Sequence, residues 1–328
     1  MAKVVRLHRQ GGPEVLTFED VLLPEPGPGE VKLKIEAIGL NRSEAMYRAG
    51  RYPVPVTLPC LIGYEASGEI LSLGDGVEGF EVGDKVSVLP RFQLGTYGVW
   101  GEEAIVPASA LEPAPPGLSM AEAAAIWMQY LTAFAVIEVA DVGIGDAALI
   151  RAASSSVGIA AIQLCNWAGA TSIACTRNHA KADALKALGA AHVIATEEED
   201  LPARTMQITH GKGARCAFDP VGGPYVETLA QALASRGILF VYGGLSEQDT
   251  PYPHWPMAMR GASMRGWVAS EIWNHPQRFA HAKDIILQGL AEGHLKPIIA
   301  KSFPLDQIAE ANAYLESNQQ VGKVVVTV

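Results

Sequence analysis

Between Ala147 and Gly244, strand-like apolar runs alternate with helix-like stretches, and this rhythm constrains the fold more tightly than any other feature of the chain. The runs are AALIRAA, TSIACT, HVIAT, CAFDPV and ILFVYGG. Between them lie a helix beginning near Val157 and helices over 178–188, near 200–209 and over 224–234. Strands that alternate with helices are parallel neighbours joined by crossovers, so the expectation is an α/β domain built on a doubly wound parallel sheet.

In such a sheet the turn after the first strand grips phosphate, because the first amides of the following helix have no partner inside it and point at the turn with the positive end of the helix dipole. Here the turn reads Ser154, Ser155 and Ser156 before Val157 and Gly158, where glycines are the usual occupants. Serine gives up easy access to positive φ, but it leaves the amides available and adds a hydroxyl donor. The loop is expected to run mostly at negative φ, with Gly158 kept for the close contact of helix and strand. It reads as a modified pyrophosphate grip.

The second strand sharpens the cofactor. A free ribose diol is usually met by an acid at that strand's end, about 20 residues beyond the turn. The corresponding segment, ACTRNHAK, has no acid and offers Thr176, Arg177 and Lys181 instead. A hydroxyl and two cations suit a 2′-phosphate, which points to NADPH rather than NADH.

From Lys3 to about Pro107 the pattern changes to short β-like runs, VVRL, VKLKIEAIG, ASGEILSLG, DKVSVL and EEAIVP, punctuated by EPGPGEV and GDGVEGFEVGDKV. Many short strands between turn signals predict a barrel-like β domain. MAEAAAIWMQYLTAFAVIEVA then predicts a helix starting at Ser119, with Glu122 at capping-box spacing. Helices over 275–292 and 306–317 precede a last strand, KVVVTV, whose placement in either domain the pattern leaves open.

Two domains also suit a chain of 328 residues. The formal net charge of −10 repels nucleic acid and anionic membrane, so neither is an expected partner, and any anionic ligand must be held by local cations. Cys60, Cys165, Cys175 and Cys216 form no CxxC or Cys/His cluster, which argues against disulfides and against a cysteine-bound metal. The N-terminus is charged and has no apolar h-region, and no later run approaches about 18 uncharged apolar residues. The expectation is a soluble, cytoplasmic protein.

Taken in order, GGPEVL (11–16), PGPGEV (26–31), IGLNRSE (38–44), GYEASGEI (63–70), VGDKV (82–86), AASSSVGIAAIQL, DPVGG (219–223) and GKVVV (322–326) carry a resemblance. The chain resembles the medium-chain dehydrogenase/reductase superfamily, and within it the zinc-independent quinone oxidoreductase branch. The resemblance implies a GroES-like β-barrel catalytic domain, 1–122 completed by 294–328, and a Rossmann NADPH-binding domain over 123–293. It further implies an active site in the cleft and a homodimer, formed by pairing the last Rossmann strand, near Ser263–Ala269, with its mate. Zinc-dependent relatives carry Cys where this chain has Asn41 and Gly-His-Glu where it has Gly63, Tyr64 and Glu65. Their four-cysteine lobe has no counterpart between Leu89 and Val106. A tetrahedral zinc would lack its ligands here.

By the same resemblance Asn41 and Tyr52 line the nicotinamide and substrate site, Tyr64 stands in the lost histidine position, and Tyr47 lies one position from another family tyrosine. Thr132, in WMQYLTAF, faces the nicotinamide. Tyr242, Gly243 and Leu245 border its ribose, Val268 brings backbone to the carboxamide, and Lys323 meets a cofactor phosphate. Without a metal, hydride addition to an isolated ketone lacks alkoxide stabilisation, whereas a quinone or enone spreads charge onto an oxygen that neutral donors can steady. The leading expectation is an NADPH-dependent reductase of quinones or α,β-unsaturated carbonyls. Two alternatives stand beside it. One is an enoyl-thioester reductase, with Arg42, Arg48, Arg51 and Arg91 available for a CoA phosphate. The other is a weakly catalytic protein that senses or stores NADPH.

Overall fold

The computed structural model describes residues 1–328, which form two compact units, 1–128 with 297–328 and 129–296. Both divisions fall a few residues later than the expected 122/123 and 293/294. The segment 123–128 explains the first: Ala124 and Ala125 pack with Ala37 and Val325 of the barrel, and the Met128 N–H donates to Glu65 at 2.8 Å.

The first unit is the GroES-like β domain. Its longest strand, Glu30–Gly39, alternates so that Val31, Leu33, Ile35 and Ala37 are buried while Lys34 faces solvent. That strand pairs antiparallel with Ala66–Leu73, with Glu103–Pro107 and with the last strand, Lys323–Thr327. The C-terminal KVVVTV therefore completes the first unit, and Ile299–Pro304 runs parallel beside it. A smaller sheet joins Leu16–Val21, Ala2–Leu7 and Cys60–Leu61. Leu16–Val21 was not among the expected strands; no residue in it is fully buried, so it carries no clean apolar alternation. The helix Arg42–Arg48 was also unexpected, and it buries Glu44, Ala45, Tyr47 and Arg48.

The second unit is the doubly wound sheet. Its six parallel strands lie in the order His192–Ala195, Thr171–Thr176, Ala147–Arg151, Ala214–Asp219, Leu233–Val241 and Ser263–Gly266. The order reverses between Ala147–Arg151 and Ala214–Asp219, which opens the crevice where such sheets bind ligands. The expected helix over 178–188 resolves into a 3-10 turn, His179–Lys181, and a helix, Ala182–Ala187. The one over 224–234 stops at Gln231, because the next strand already begins at Leu233.

Ser119 caps its helix through the expected capping box with Glu122, but the helical run beyond it breaks into Met120–Ala123, Trp127–Ala133 and Ala135–Glu138. Taken together, Met120–Glu138 has the length and mean hydropathy, 1.4, of a membrane-crossing segment, although Glu122 and Glu138 keep it from being an uncharged run of that length. Of that window 72% is buried inside the protein, the condition of a core helix. All four cysteines are buried and unpaired.

Candidate active site

In the second unit the serine turn joins the strand Ala147–Arg151 to the helix Ser156–Trp167. Ser155 is the helix N-cap, its hydroxyl accepting from the Gly158 N–H at 3.0 Å. That hydroxyl takes up one amide and leaves those of Ser156 and Val157, which have no intrahelical acceptor, at the open end. The one left-handed residue of the turn is Ala152, at φ 51°, ahead of the serines. A Cβ at Gly158 would lie 2.7 Å from the Ala153 backbone, so the helix start packs directly on the strand end, as its sequence position implies.

At the end of the second strand the Thr176 hydroxyl donates to the Asn178 carbonyl, Arg177 is exposed, and Lys181 Nζ reaches across to Ser154 Oγ at 3.0 Å. Burial, and then the Arg177 charge, hold the Lys181 ammonium below its ordinary pKa. Two cations therefore sit close enough to repel one another beside the phosphate turn, and an anion placed there would relieve both. Across the strand reversal, Arg151 Nη1 donates to Asp219 at 3.1 Å and to the Gly222 carbonyl at 3.1 Å, and its guanidinium stacks 4.5 Å from the Tyr225 ring. The Asp219 carboxylate also accepts from the N–H groups of Val221 and Gly222, which closes the DPVGG turn. Arg151 was not anticipated; an arginine ending a buried central strand was the signal available.

Tyr242 stacks on Phe218 with ring centroids 4.0 Å apart, and its buried hydroxyl lies beside Ser155 without bonding to it. A Cβ at Gly243 would come 2.4 Å from the Pro220 carbonyl, so the loop carrying Gly243 and Leu245 runs hard against the end of the neighbouring strand. Thr132 is buried and its carbonyl accepts from the Trp267 indole at 2.8 Å; Val268, next in the chain, is exposed. The unit thus offers a dinucleotide open amides, two cations and a hydroxyl without a hydrogen-bond partner.

The first unit holds a buried polar cluster that sequence reasoning placed only in part. Lys323 is 1% exposed, and its Nζ donates to Asn41 Oδ1 at 2.7 Å and to Glu65 Oε2 at 2.5 Å. Asn41 Nδ2 in turn donates to the Gly39 carbonyl and to Glu65, both at 3.0 Å. Two expectations change. Lys323 is 1% exposed and bonded to Glu65 and Asn41 inside the barrel, so its ammonium is not presented at the surface. Asn41 points its amide inward, committed at both ends, and so orients its neighbours rather than offering a donor.

Glu44, fully buried, accepts from the N–H groups of Asn41 at 2.6 Å and Tyr64 at 3.1 Å. Burial pushes its carboxyl up to about 8, since Lys323 is bonded to the other carboxylate and only partly compensates this one. Tyr64 is 6% exposed, and its hydroxyl bonds to that of Ser43. Tyr47 is packed in the barrel core with its hydroxyl against Cys60, and burial, then Cys60, push it up to about 12; it is scaffold. Tyr52 alone among the four expected residues is half-buried with no hydrogen-bond partner for its hydroxyl, which burial keeps protonated. Arg48 is wholly buried and bonded to Gly11, Asn312 and Glu316, so no CoA phosphate can reach it.

The donor set does not fit a catalytic zinc. No three His, Cys, Asp or Glu side chains converge anywhere in the chain, and the positions held by ligands in zinc enzymes carry Asn41 and Tyr64. The Lys323 ammonium, bonded to Asn41 and Glu65, already supplies the cluster's positive charge.

Residues 27–116 match the alcohol dehydrogenase GroES-like domain, and residues 156–287 match the family model described as zinc-binding dehydrogenase. A solved NAD-dependent alcohol dehydrogenase is 33% identical with a TM-score of 0.89, and Escherichia coli quinone oxidoreductase, solved with NADPH, is 27% identical with a TM-score of 0.91; each match covers both chains completely. Quinone oxidoreductase of Pseudomonas aeruginosa is 30% identical over 99% of both chains. With a GroES-like unit, a doubly wound sheet and end-to-end identity of that level, the chain belongs to the quinone oxidoreductase family of the medium-chain dehydrogenase/reductases.

Proposed function

We propose that the chain is an NADPH-dependent reductase that transfers hydride to quinones or α,β-unsaturated carbonyls without a metal. The observation that carries this reading is the filled cluster around Lys323: the position of a Lewis acid in zinc enzymes is closed by an internal ion pair, and only hydroxyl donors remain. Such donors are too weak to steady a full alkoxide but suffice for charge spread over a conjugated acceptor. A bound dihydronicotinamide supplies the hydride. The amides of Ser156 and Val157 hold the diphosphate, Arg177 and Lys181 take the 2′-phosphate, and Tyr242 offers its hydroxyl to the nearby ribose. Tyr52 presents its O–H to the acceptor oxygen. The NADPH bound to the Escherichia coli relative agrees with this cofactor.

The likeness to a solved NAD-dependent alcohol dehydrogenase favours a second reading, alcohol oxidation with NAD⁺. It requires something to stabilise the alkoxide, and the donor set is against it. Steady-state assays separate the readings: NADPH and NADH with quinones, enones and enoyl-CoAs, and NAD⁺ with alcohols. The proposal expects NADPH oxidation by quinones or enones; activity confined to NAD⁺ and alcohols contradicts it.

The enzyme is further proposed to be a cytoplasmic homodimer. Ser263–Gly266 is the terminal strand of its sheet, with an unpaired edge. In the same unit Tyr252, Trp255 and Met259 are 60%, 69% and 77% exposed, apolar surface that a second copy would cover. Light scattering giving a monomer mass would refute the pairing.

A further inference from the structure

We propose that Ser43, with Tyr64 behind it, donates a second hydrogen bond, beside that of Tyr52, to the acceptor's carbonyl oxygen. The proposal rests on the reductase reading above and names a residue that reading does not use.

The two hydroxyls bond to each other, and neither has another partner. A pair of hydroxyls contains two protons and uses one between them, so one O–H is left over. Burial decides which. Tyr64 is 6% exposed and sits among Glu44, Glu65 and Tyr52, whereas Ser43, in the first turn of the helix Arg42–Arg48, is partly open to solvent. If Ser43 donated to Tyr64, the phenolic proton would be stranded in the interior without an acceptor, which is unfavourable. The pair is therefore ordered with Tyr64 donating inward to Ser43 Oγ, and the serine proton is turned out. A hydroxyl that already accepts from a phenol is polarised and becomes a stronger donor.

The surrounding charges also fix what the pair does not do. Full loss of a proton would leave a buried tyrosinate beside two carboxyl groups, and burial, then Tyr52 and those carboxyls, hold the Tyr64 hydroxyl well above its ordinary pKa. The pair therefore steadies charge without surrendering a proton. As the β-carbon of an enone receives hydride, the C=C electron pair moves to form the enolate and the carbonyl oxygen gains negative charge. The Ser43 O–H donates to that oxygen, and solvent water gives the α-carbon its proton. Atoms and electrons balance with NADPH, the enone and one proton from water. Glu44 keeps the geometry by accepting from the Asn41 and Tyr64 backbones at once, which ties the helix start to the segment carrying Tyr64.

The test combines turnover with a readout that needs none. Ser43→Ala is expected to lower kcat for enone reduction by tenfold or more with KM for NADPH unchanged, and Ser43→Thr to restore most of it. Tyr64→Phe should lower kcat by less, and the double variant should be no worse than Ser43→Ala, because the two hydroxyls act as one chain. Melting curves check that each variant is folded. In the second arm p-nitrophenolate, an oxyanion whose visible band moves to shorter wavelength on accepting a hydrogen bond, is titrated into wild type and Ser43→Ala; the shift is expected in wild type only. A Ser43→Ala kcat within twofold of wild type, multiplicative effects of the two variants, or the same band position in both proteins would overturn the inference. Should wild type reduce no quinone or enone, the reductase reading fails, and the p-nitrophenolate arm still decides whether Ser43 is an oxyanion donor.

Discussion

Lys323 and Lys181 are both lysines beside a hydroxyl or amide, and the two units use them in opposite ways. In the first unit Lys323 is enclosed, with Glu65 at 2.5 Å and Asn41 at 2.7 Å taking up two of its three protons. In the second, Lys181 has Ser154 at 3.0 Å and a second cation, Arg177, for a neighbour. A charge enclosed with its counter-charge holds structure; two like charges beside the serine turn gain from an anion placed near them. What separates the two lysines is enclosure: Lys323 is 1% exposed, whereas Lys181 is only partly buried.

The largest effect expected from this contrast is at Lys323. Replacing it by methionine leaves Glu65 buried without its cation, and breaking a buried pair in this way costs about 3–5 kcal/mol. Denaturant melts should show that loss, while a Lys181→Met protein should melt within about 0.5 kcal/mol of wild type, as a surface substitution does. Equal losses at the two lysines would erase the distinction.

Next in size is Arg177→Glu, which places an acid where the 2′-phosphate is proposed to sit. NADPH affinity should fall about tenfold to a hundredfold, of the order of 1.4–2.7 kcal/mol, with NADH affinity nearly unchanged; fluorescence titration of both cofactors reads it directly. Smaller again is Tyr52→Phe, expected to lower kcat several-fold without changing the Kd for NADPH, measured by steady-state kinetics beside the same titration.

A pH dependence tests the same buried cluster separately. The Glu44 carboxyl is neutral up to about 8 in the folded chain but titrates near 4.5 when unfolded. Between those values the folded state holds the extra proton, so stability falls as pH rises from about 4.5 and levels off above about 8. The melting temperature of wild type should decline across that window, and that of Glu44→Gln should decline less. A wild-type curve that climbs from pH 5 to pH 8 would contradict the assignment.

Much of the second unit was legible because its determinants are local. Strand and helix periods, the Ser119 cap and the serine turn all act within a few residues, and TRNHAK brings Arg177 and Lys181 together by sequence proximity alone. The first unit's site was not, since Asn41 and Lys323 are 282 residues apart and Glu65 and Lys323 are 258 apart. The period of a strand says which residues face inward, but not which distant strand will face them. One signal was present: Lys323 opens a strand whose next three residues are Val324, Val325 and Val326, all fully buried, and a lysine at the start of such a run is drawn inside if an acid meets it. Ser43 escaped notice because the short helix carrying it was itself unexpected. Tyr47 was misplaced for a related reason: it falls on the core side of that helix, which a list of tyrosines near the motif does not reveal.

The claim on which the account turns is that the cations beside the serine turn read a phosphate while the lysine in the barrel does not. Calorimetric titration of wild type with adenosine 2′,5′-bisphosphate and with adenosine 5′-monophosphate tests it without any turnover. Binding of the bisphosphate at least tenfold tighter, with the advantage lost in Arg177→Glu and weakened by salt, is the predicted result; equal affinity for the two nucleotides would contradict it.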